Sequence, residues 1–198
     1  MRPRWIFIAY LCLAGSLAGA AEAAAAPKGP RFYSDISAAG LMPYTWAEDG
    51  PTLPHYGFEA TLGLECETPF SLPIRLELGY IRVGHSRIAP TGELYRAWDG
   101  ARLALLSGYS FAPMELRGIG KLEFAVLGGG AVTAAEYTYT PLAYAYPSLI
   151  LEPRLALDLN KVGKPWLALP VELMFRAGNH TIAPGLSLGW LFPIGISQ

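Results

Sequence analysis

The sequence has few charged residues and no long apolar runs, and each shortage argues against a class of protein. Asp, Glu, Lys and Arg make up only 16% of the 198 residues, whereas charged residues account for about a quarter of a typical soluble domain. After the N-terminal segment, no stretch reaches the ~18 apolar residues that indicate a transmembrane helix. A net charge of −1 provides no cationic field to attract nucleic acid. An ordinary soluble domain, a helical membrane protein and a nucleic-acid-binding protein are therefore all disfavoured.

Cysteine and the common site motifs are also scarce. Of the two cysteines, Cys12 lies in the N-terminal apolar run, which leaves Cys66 without a partner for an internal disulfide. The sequence has no phosphate-binding glycine loop, no paired-cysteine metal motif and no dinucleotide fingerprint. It therefore predicts neither a cofactor nor a metal site.

The N-terminus has the parts of a secretory signal peptide. Two arginines among the first five residues precede an apolar core from Ile6 to Leu17, which is short for a membrane-spanning helix. Small residues follow and offer cleavage sites after Ala20 or after Ala23. We expect residues 1–23 to be a signal peptide and residues 24–198 to be one β-barrel domain. The alternative is an uncleaved anchor helix.

A period of two dominates the rest of the chain. Between Leu149 and Leu159 every second residue is apolar, while the residues between them include Glu152, Arg154 and Asp158. Side chains alternate across a strand, so this stretch has one apolar and one polar face. Similar patterns predict eight strands, the first of them weakly patterned and the third slipping in phase near Ile81. They cover residues 31–41, 56–66, 72–83, 95–111, 121–132, 149–159, 167–176 and 181–196.

The strand count and the connections fit an all-β, antiparallel, up-and-down transmembrane barrel. Eight spanning strands of ~9–11 residues fit the mature length and leave room for connections, whereas twelve leave little. Short turns are predicted at 67–71 and 161–164, and longer loops are predicted on the other side at 42–54, 84–92 and 133–147. Alternation of short turns with long loops is typical of such barrels.

The polar faces decide which side of the sheet meets lipid. A periplasmic, lipocalin-like ligand-binding barrel has the same alternation with its apolar face inward, and it is the alternative fold. Here the charged residues of both signs are interleaved with Gly, Ser, Thr and Ala, which suits a narrow interior. Glu65 and Lys121 share these faces. The predicted lumen charge network consists of Glu59, Arg75, Glu77, Arg102, Glu123, Glu152, Arg154, Asp158, Glu172 and Arg176.

A signal peptide, about eight amphipathic strands and a final strand carrying Trp190 and Phe192 together resemble small bacterial outer-membrane barrels of the OmpA, OmpX and OmpW kind. The resemblance covers most of the mature chain and is architectural. It implies a location in the bacterial outer membrane, with lipid and the outer-membrane assembly machinery as partners. Members commonly end in an aromatic residue, whereas this chain ends Ile196-Ser197-Gln198.

The sequence favours a non-enzymatic, surface-exposed binder or narrow conduit for small hydrophobic molecules, with a lumen plugged by charge. Its partner is a small hydrophobic ligand or a host surface molecule. The proposed ligand loop within 133–147 contains Tyr137, Tyr139, Leu142, Tyr144 and Tyr146. The alternative reading of this loop is that it extends two strands.

A different function, a lipid-modifying hydrolase of the outer membrane, rests on three histidines at predicted loop-side strand ends. His55, His85 and His180 lie there, and Ser86 adjoins His85. A serine hydrolase needs its nucleophile within hydrogen-bond reach of the base. No spacing in the sequence indicates such a pair, so this function stays the alternative.

Overall fold

The computed structural model of the protein describes residues 29–47, 50–51, 56–84, 98–137, 140–159, 162–176 and 179–194. The predicted signal peptide lies outside these residues. Twelve strands are described: β1 Arg31–Leu41, β2 Tyr44–Ala47, β3 Gly50–Pro51, β4 Tyr56–Glu67, β5 Pro73–Gly84, β6 Trp98–Ser110, β7 Met114–Leu116, β8 Gly120–Tyr137, β9 Thr140–Asp158, β10 Lys164–Ala168, β11 Val171–Arg176 and β12 Asn179–Pro193.

These strands form a closed antiparallel barrel with eight strand positions. The order around the barrel is β1, β4, β5, β6, β8, β9, then β10 and β11 in one position, then β12, and β12 pairs back with β1. Closure leaves the wall without open edges. The predicted eight-stranded up-and-down barrel is confirmed. The described residues contain no helix with the length and hydropathy of a membrane span.

The barrel has two different ends. We call the end with the β4–β5 and β9–β10 connections the turn end, and the end with the β5–β6 and β8–β9 connections the loop end. The small strands β2 and β3 lie in the predicted loop 42–54, and β2 extends the β1 side of the wall along β12. Strand β7 forms a small hairpin with β8 at the turn end.

Most of the segment 133–147, predicted as a loop, is strand, which agrees with the alternative interpretation that it extends two strands. Strand β8 continues to Tyr137 and β9 begins at Thr140, and the two remain paired with a register shift next to Tyr137. Threonine and tyrosine favour strands, and the ladder between β8 and β9 satisfies the backbone donors and acceptors of this segment. The two strands therefore extend well beyond the region that the alternation had marked.

The predicted seventh strand is divided into β10 and β11 at Leu169 and Pro170. Proline has no backbone N–H to give to a ladder. The wall nevertheless stays continuous, because Leu169 N donates to Pro153 O at 3.0 Å and Gly185 N donates to Pro170 O at 2.8 Å.

The predicted phase slip near Ile81 is wrong. Strand β5 alternates without interruption from Pro73 to Val83, and Ile81 and Val83 lie on its buried face. The sequence signal changed because the inward face itself changes from charged residues to apolar residues toward the loop end. The side chains keep their direction.

The outer face of the barrel is apolar, with aromatic rings near both ends. Leu62, Leu78, Leu103 and Leu188 are among more than thirty large apolar side chains exposed on the surface of the described residues. Phe58 contacts Tyr80 toward the loop end. Toward the turn end, the ring contacts are Tyr109 with Phe111, Phe111 with Phe124 and Trp190 with Phe192. An apolar band between two aromatic girdles is the exterior of a barrel that sits in a bilayer.

Close packing inside the barrel requires a glycine at position 189. A Cβ at Gly189 would overlap the ring of Trp166, whereas a Cβ at the outward Gly128 would meet nothing closer than Ile150 O at 3.7 Å. We expect Gly189→Ala to lower the free energy of unfolding by about 1–3 kcal/mol through overpacking. Gly128→Ala should change it by less than about 0.5 kcal/mol. Urea unfolding in lipid vesicles measures both, and equal values would contradict the assigned packing.

Candidate functional site

The middle of the lumen is filled by buried charged side chains, which we call the charged layer. They come from six strands that face one another across the barrel, because alternation points every second residue inward. Their side chains are at most 8% exposed. The members are Asp35, Glu59, Glu65, Arg75, Glu77, Arg102, Glu152, Arg154 and Glu172.

Arg75 lies among three carboxylates of the charged layer. Its Nη1 lies 3.0 Å from Glu152 Oε1 and its Nε lies 3.4 Å from Asp35 Oδ2. Nε also donates to Glu77 Oε1 at 2.6 Å, and Nη2 contacts the same oxygen. The guanidinium sits 4.7 Å from the centroid of the Trp166 ring, whose Nε1 donates to Asp35 Oδ1 at 3.0 Å. One cation therefore connects strands on opposite sides of the lumen.

Arg102 holds a second set of carboxylates. Its Nη1 donates to Glu172 Oε2 at 3.1 Å, and its Nη2 contacts Glu59 and lies 3.6 Å from Glu77 Oε2. Glu172 also accepts a hydrogen bond of 2.5 Å from the hydroxyl of Ser148. Glu77 is thus shared between Arg75 and Arg102, which joins the two sets into one network.

Arg154 makes the third contact of this kind. Nη1 and Nη2 donate to the two oxygens of Glu65 at 2.5 and 2.7 Å. Paired parallel hydrogen bonds of this geometry are the strong form of an arginine–carboxylate contact. The Arg154 guanidinium also lies 5.8 Å from the centroid of Trp166, so that ring lies near two guanidinium groups.

A second group of charges lies at the turn end around Lys164. Its Nζ lies 2.5 Å from Glu67, 2.7 Å from Glu123 and 3.6 Å from Asp158. Nζ is also 5.1 Å from the ring centroid of Tyr33. The lysine is buried although it begins a strand, since three carboxylates surround its charge.

The structure divides the predicted lumen residues between these two groups. The charged layer contains Glu59, Arg75, Glu77, Arg102, Glu152, Arg154 and Glu172. Glu123 and Asp158 lie beside Lys164 at the turn end. The side chain of Arg176 falls outside the described residues.

Sequence reasoning missed three members of these groups. Asp35 lies in the weakly patterned first strand, and Lys164 was placed in a turn. Glu67 was placed at the start of the next turn. The alternation around Asp35, with Tyr33 and Ser37 on the same buried face, is the signal that could have found it.

The charged layer encloses little empty space. The cavity between its side chains measures about 20 Å³ and is lined by Ser37, Glu59, Arg75, Arg102 and Glu172 among others. This is close to the least space that holds one water molecule, about 10–15 Å³ on the same measure. An eight-stranded barrel has an interior that side chains just fill, and here ionisable side chains fill its middle together with the buried Leu106, Leu127 and Ile150.

Toward the loop end the lumen is apolar. Eight buried side chains or methyl groups form what we call the apolar layer, each at most 5% exposed. Within it the rings of Trp98 and Tyr146 meet edge to face with centroids 5.6 Å apart. The members are Leu41, Ile81, Val83, Trp98, Ala135, Tyr146, Met174 and Ala183. The alternation of the sequence did not indicate this layer, because polar residues were expected at all inward positions.

The residues of the proposed ligand loop are divided by the structure. Tyr146 lies inside the barrel and is 4% exposed. The backbones of Tyr137, Leu142 and Tyr144 belong to β8 and β9. Their side chains, and the whole of Tyr139, lie outside what the structure describes.

The histidines do not form a described site. His180 lies on the outer face with its ring 6.0 Å from that of Phe175. His55 and His85 lie outside the described residues. Within the described part of the chain, no three side chains of His, Cys, Asp or Glu are grouped in a way that could hold a metal ion.

Comparison with known proteins gives structural matches only. No family model and no curated protein sequence matches the chain. The crystal structure of Neisserial surface protein A is 8% identical with a TM-score of 0.59, over 82% of this chain and 99% of that one. Ail of Yersinia pestis, solved with the heparin analogue sucrose octasulfate, is 12% identical with a TM-score of 0.48, over 83% and 100%. The outer membrane protein OprG of Pseudomonas aeruginosa is 13% identical with a TM-score of 0.41, over 84% and 97%.

The match to the Neisserial surface protein concerns the fold, and it agrees with the predicted resemblance to small eight-stranded outer-membrane barrels. The exterior band of apolar residues and the charged interior are those of a barrel immersed in lipid. The predicted location, the bacterial outer membrane, is where single-chain barrels of this construction occur.

Proposed function

We propose that this barrel is a non-enzymatic outer-membrane protein that binds small hydrophobic molecules at its loop end and does not pass polar solutes through its lumen. The observation that carries the proposal is the filling of the lumen. Buried ion pairs leave a cavity of about 20 Å³ in the charged layer, and apolar side chains cover that layer toward the loop end. Contact with ligands is then restricted to the rim and the outer surface.

The composition of the rim indicates the class of ligand. The segment from Tyr137 to Tyr146 contains tyrosine, leucine and alanine and no charged residue. Strands β8 and β9 stay paired up to Tyr137 and Thr140, beyond Ser148, the last partner of β11 on β9. An apolar, tyrosine-rich rim favours small hydrophobic or aromatic ligands. A host surface molecule with an apolar face is the other partner that this rim suits.

Equilibrium dialysis with radiolabelled indole tests the proposal. The protein is reconstituted in lipid nanodiscs, and empty nanodiscs correct for indole that dissolves in lipid. We expect saturable binding to the parent and at least about tenfold weaker binding when Tyr139 and Tyr144 are both changed to Ser, since each loses an aromatic contact. Changing Tyr56, an exposed tyrosine on another strand, to Ser is the matched control and should leave binding unchanged.

Two results would contradict the proposal. If nanodiscs with the protein bound no more indole than empty nanodiscs, the protein would not be a binder of small hydrophobic molecules. A wide, unselective conductance of the parent in planar bilayers would show that the lumen is open and that the ion pairs do not close it.

A further inference from the structure

The apolar layer separates the charged layer from the loop end of the barrel. It is formed by inward residues of β1, β5, β6, β8, β9, β11 and β12, so it extends around nearly the whole circumference. Its largest members, Trp98, Tyr146, Ile81 and Met174, are between 0% and 5% exposed. Apolar side chains on seven of the eight strand positions of a narrow lumen form a barrier to water and ions.

The charged layer depends on that barrier. Ion pairs are stronger where water is excluded, because the effective dielectric constant is lower. The layer also contains six carboxylates and only three guanidinium groups among its described members. These buried polar groups would attract water if a route to them were open.

We propose that the apolar layer is a hydrophobic gate, and that Trp98 and Met174 are the side chains whose displacement opens the lumen from the loop end. The inference concerns regulation of the closed lumen on which the proposed function depends. Hydrophobic constrictions close a pore by excluding water and need no steric plug.

Two structural features single out Trp98 and Met174. Trp98 carries the largest side chain of the layer and is 4% exposed. Met174 is fully buried in the middle of the layer, and methionine is the most adaptable of the apolar side chains. Among the other members, Ile81 and Val83 are β-branched and stiff about χ1, and Ala135 and Ala183 have little side chain to move. Displacing these two side chains, Trp98 and Met174, would open a large volume in the layer while the backbone ladder of the wall stays in place.

Access of a water-soluble reagent to the charged layer measures the gate directly. Ser187→Cys places a thiol at a position that lines the cavity and is 4% exposed. Cys12 and Cys66 are changed to Ser so that this thiol is the only one. The protein in nanodiscs is treated with a small cationic methanethiosulfonate. Folding of every variant is checked by its electrophoretic mobility without heating.

We expect slow modification when the gate is intact and at least about tenfold faster modification when Trp98→Ala and Met174→Ala are combined, because water then reaches the thiol. The control combines Phe58→Ala and Leu103→Ala, which remove apolar bulk from the outer face, and its rate should match that of the intact gate.

Two results would overturn the gate: rapid modification with the gate intact, or an unchanged rate in the folded double variant. Met174→Ala alone, a milder change, should give an intermediate rate and serves if the double variant does not fold. Failure of the proposed function is distinguishable, because the reagent assay needs no ligand. If the protein does not bind indole but the reagent rates are as expected, the proposed ligand is wrong and the gate stands.

Discussion

Leu62→Arg is expected to lower the free energy of unfolding of the barrel in lipid by about 2–4 kcal/mol. Leu62 is outward and 63% exposed, and it lies midway along β4 between Phe58, at the loop-end girdle, and Cys66, which pairs with Phe32 near the turn end. A charge there is placed at the centre of the apolar band.

Tyr56→Arg is the matched control on the same strand. Tyr56 is outward and 67% exposed, but it lies beyond Phe58 at the water interface, where an arginine costs only about 0–1 kcal/mol. Urea unfolding of the vesicle-inserted protein gives both values. If the two arginines destabilised the barrel equally, the assignment of the outer face to lipid would be wrong.

Arg75→Ala is expected to cost about 3–5 kcal/mol, the usual range for breaking a buried ion pair by removing one partner. Asp35, Glu77 and Glu152 would keep their places in the lumen without the cation that they share. Trp166 would lose the guanidinium 4.7 Å from its ring centroid, so its fluorescence should change as well.

Two further variants serve as controls for this prediction: Lys121→Ala, and a rescue that removes carboxylates together with Arg75. Lys121 pairs with Glu115 at the surface, where the side chains are 45% and 78% exposed, and such pairs contribute about 0–1 kcal/mol. Adding Glu77→Gln and Glu152→Gln to Arg75→Ala should restore part of the loss, because fewer uncompensated charges remain. Arg75→Ala with a cost no greater than that of Lys121→Ala would show that the charged layer is hydrated and not sealed.

The barrel was predictable because one rule, alternation, acts on every strand. Strand β1 has the predicted bounds, Arg31 to Leu41, and the parity of Arg75 and Glu152 placed both on polar faces. The rule fails where the lumen is not polar. At Ile81 and Val83 the sequence pattern suggests a change of phase, because the inward positions become apolar there. The side chains still point into the lumen.

The partners of the charges were not predictable from local pattern. The alternation along each strand indicates that Glu65 and Arg154 both lie on the polar side of the wall. It does not indicate that they form a bidentate contact across the lumen. That contact depends on strand tilt and register, which arise only when the barrel closes. The lack of a family motif left the ligand equally undetermined, since function resides in sites and not in folds.

The span of the lumen contacts along the chain has a consequence for the order of assembly. Arg75 and Glu152 are 77 residues apart, Glu65 and Arg154 are 89 apart, and Asp35 and Trp166 are 131 apart. Contacts so distant in sequence form late, because the chain entropy of bringing their ends together must first be overcome. A half-built sheet that ends at β6 can pair Arg75 with Glu77, but it leaves Glu65 without its partner Arg154. The pairing of β1 with β12 closes the barrel and brings the distant partners together, so closure is an all-or-none event. A barrel that closed in the wrong register would keep unpaired charges in its interior.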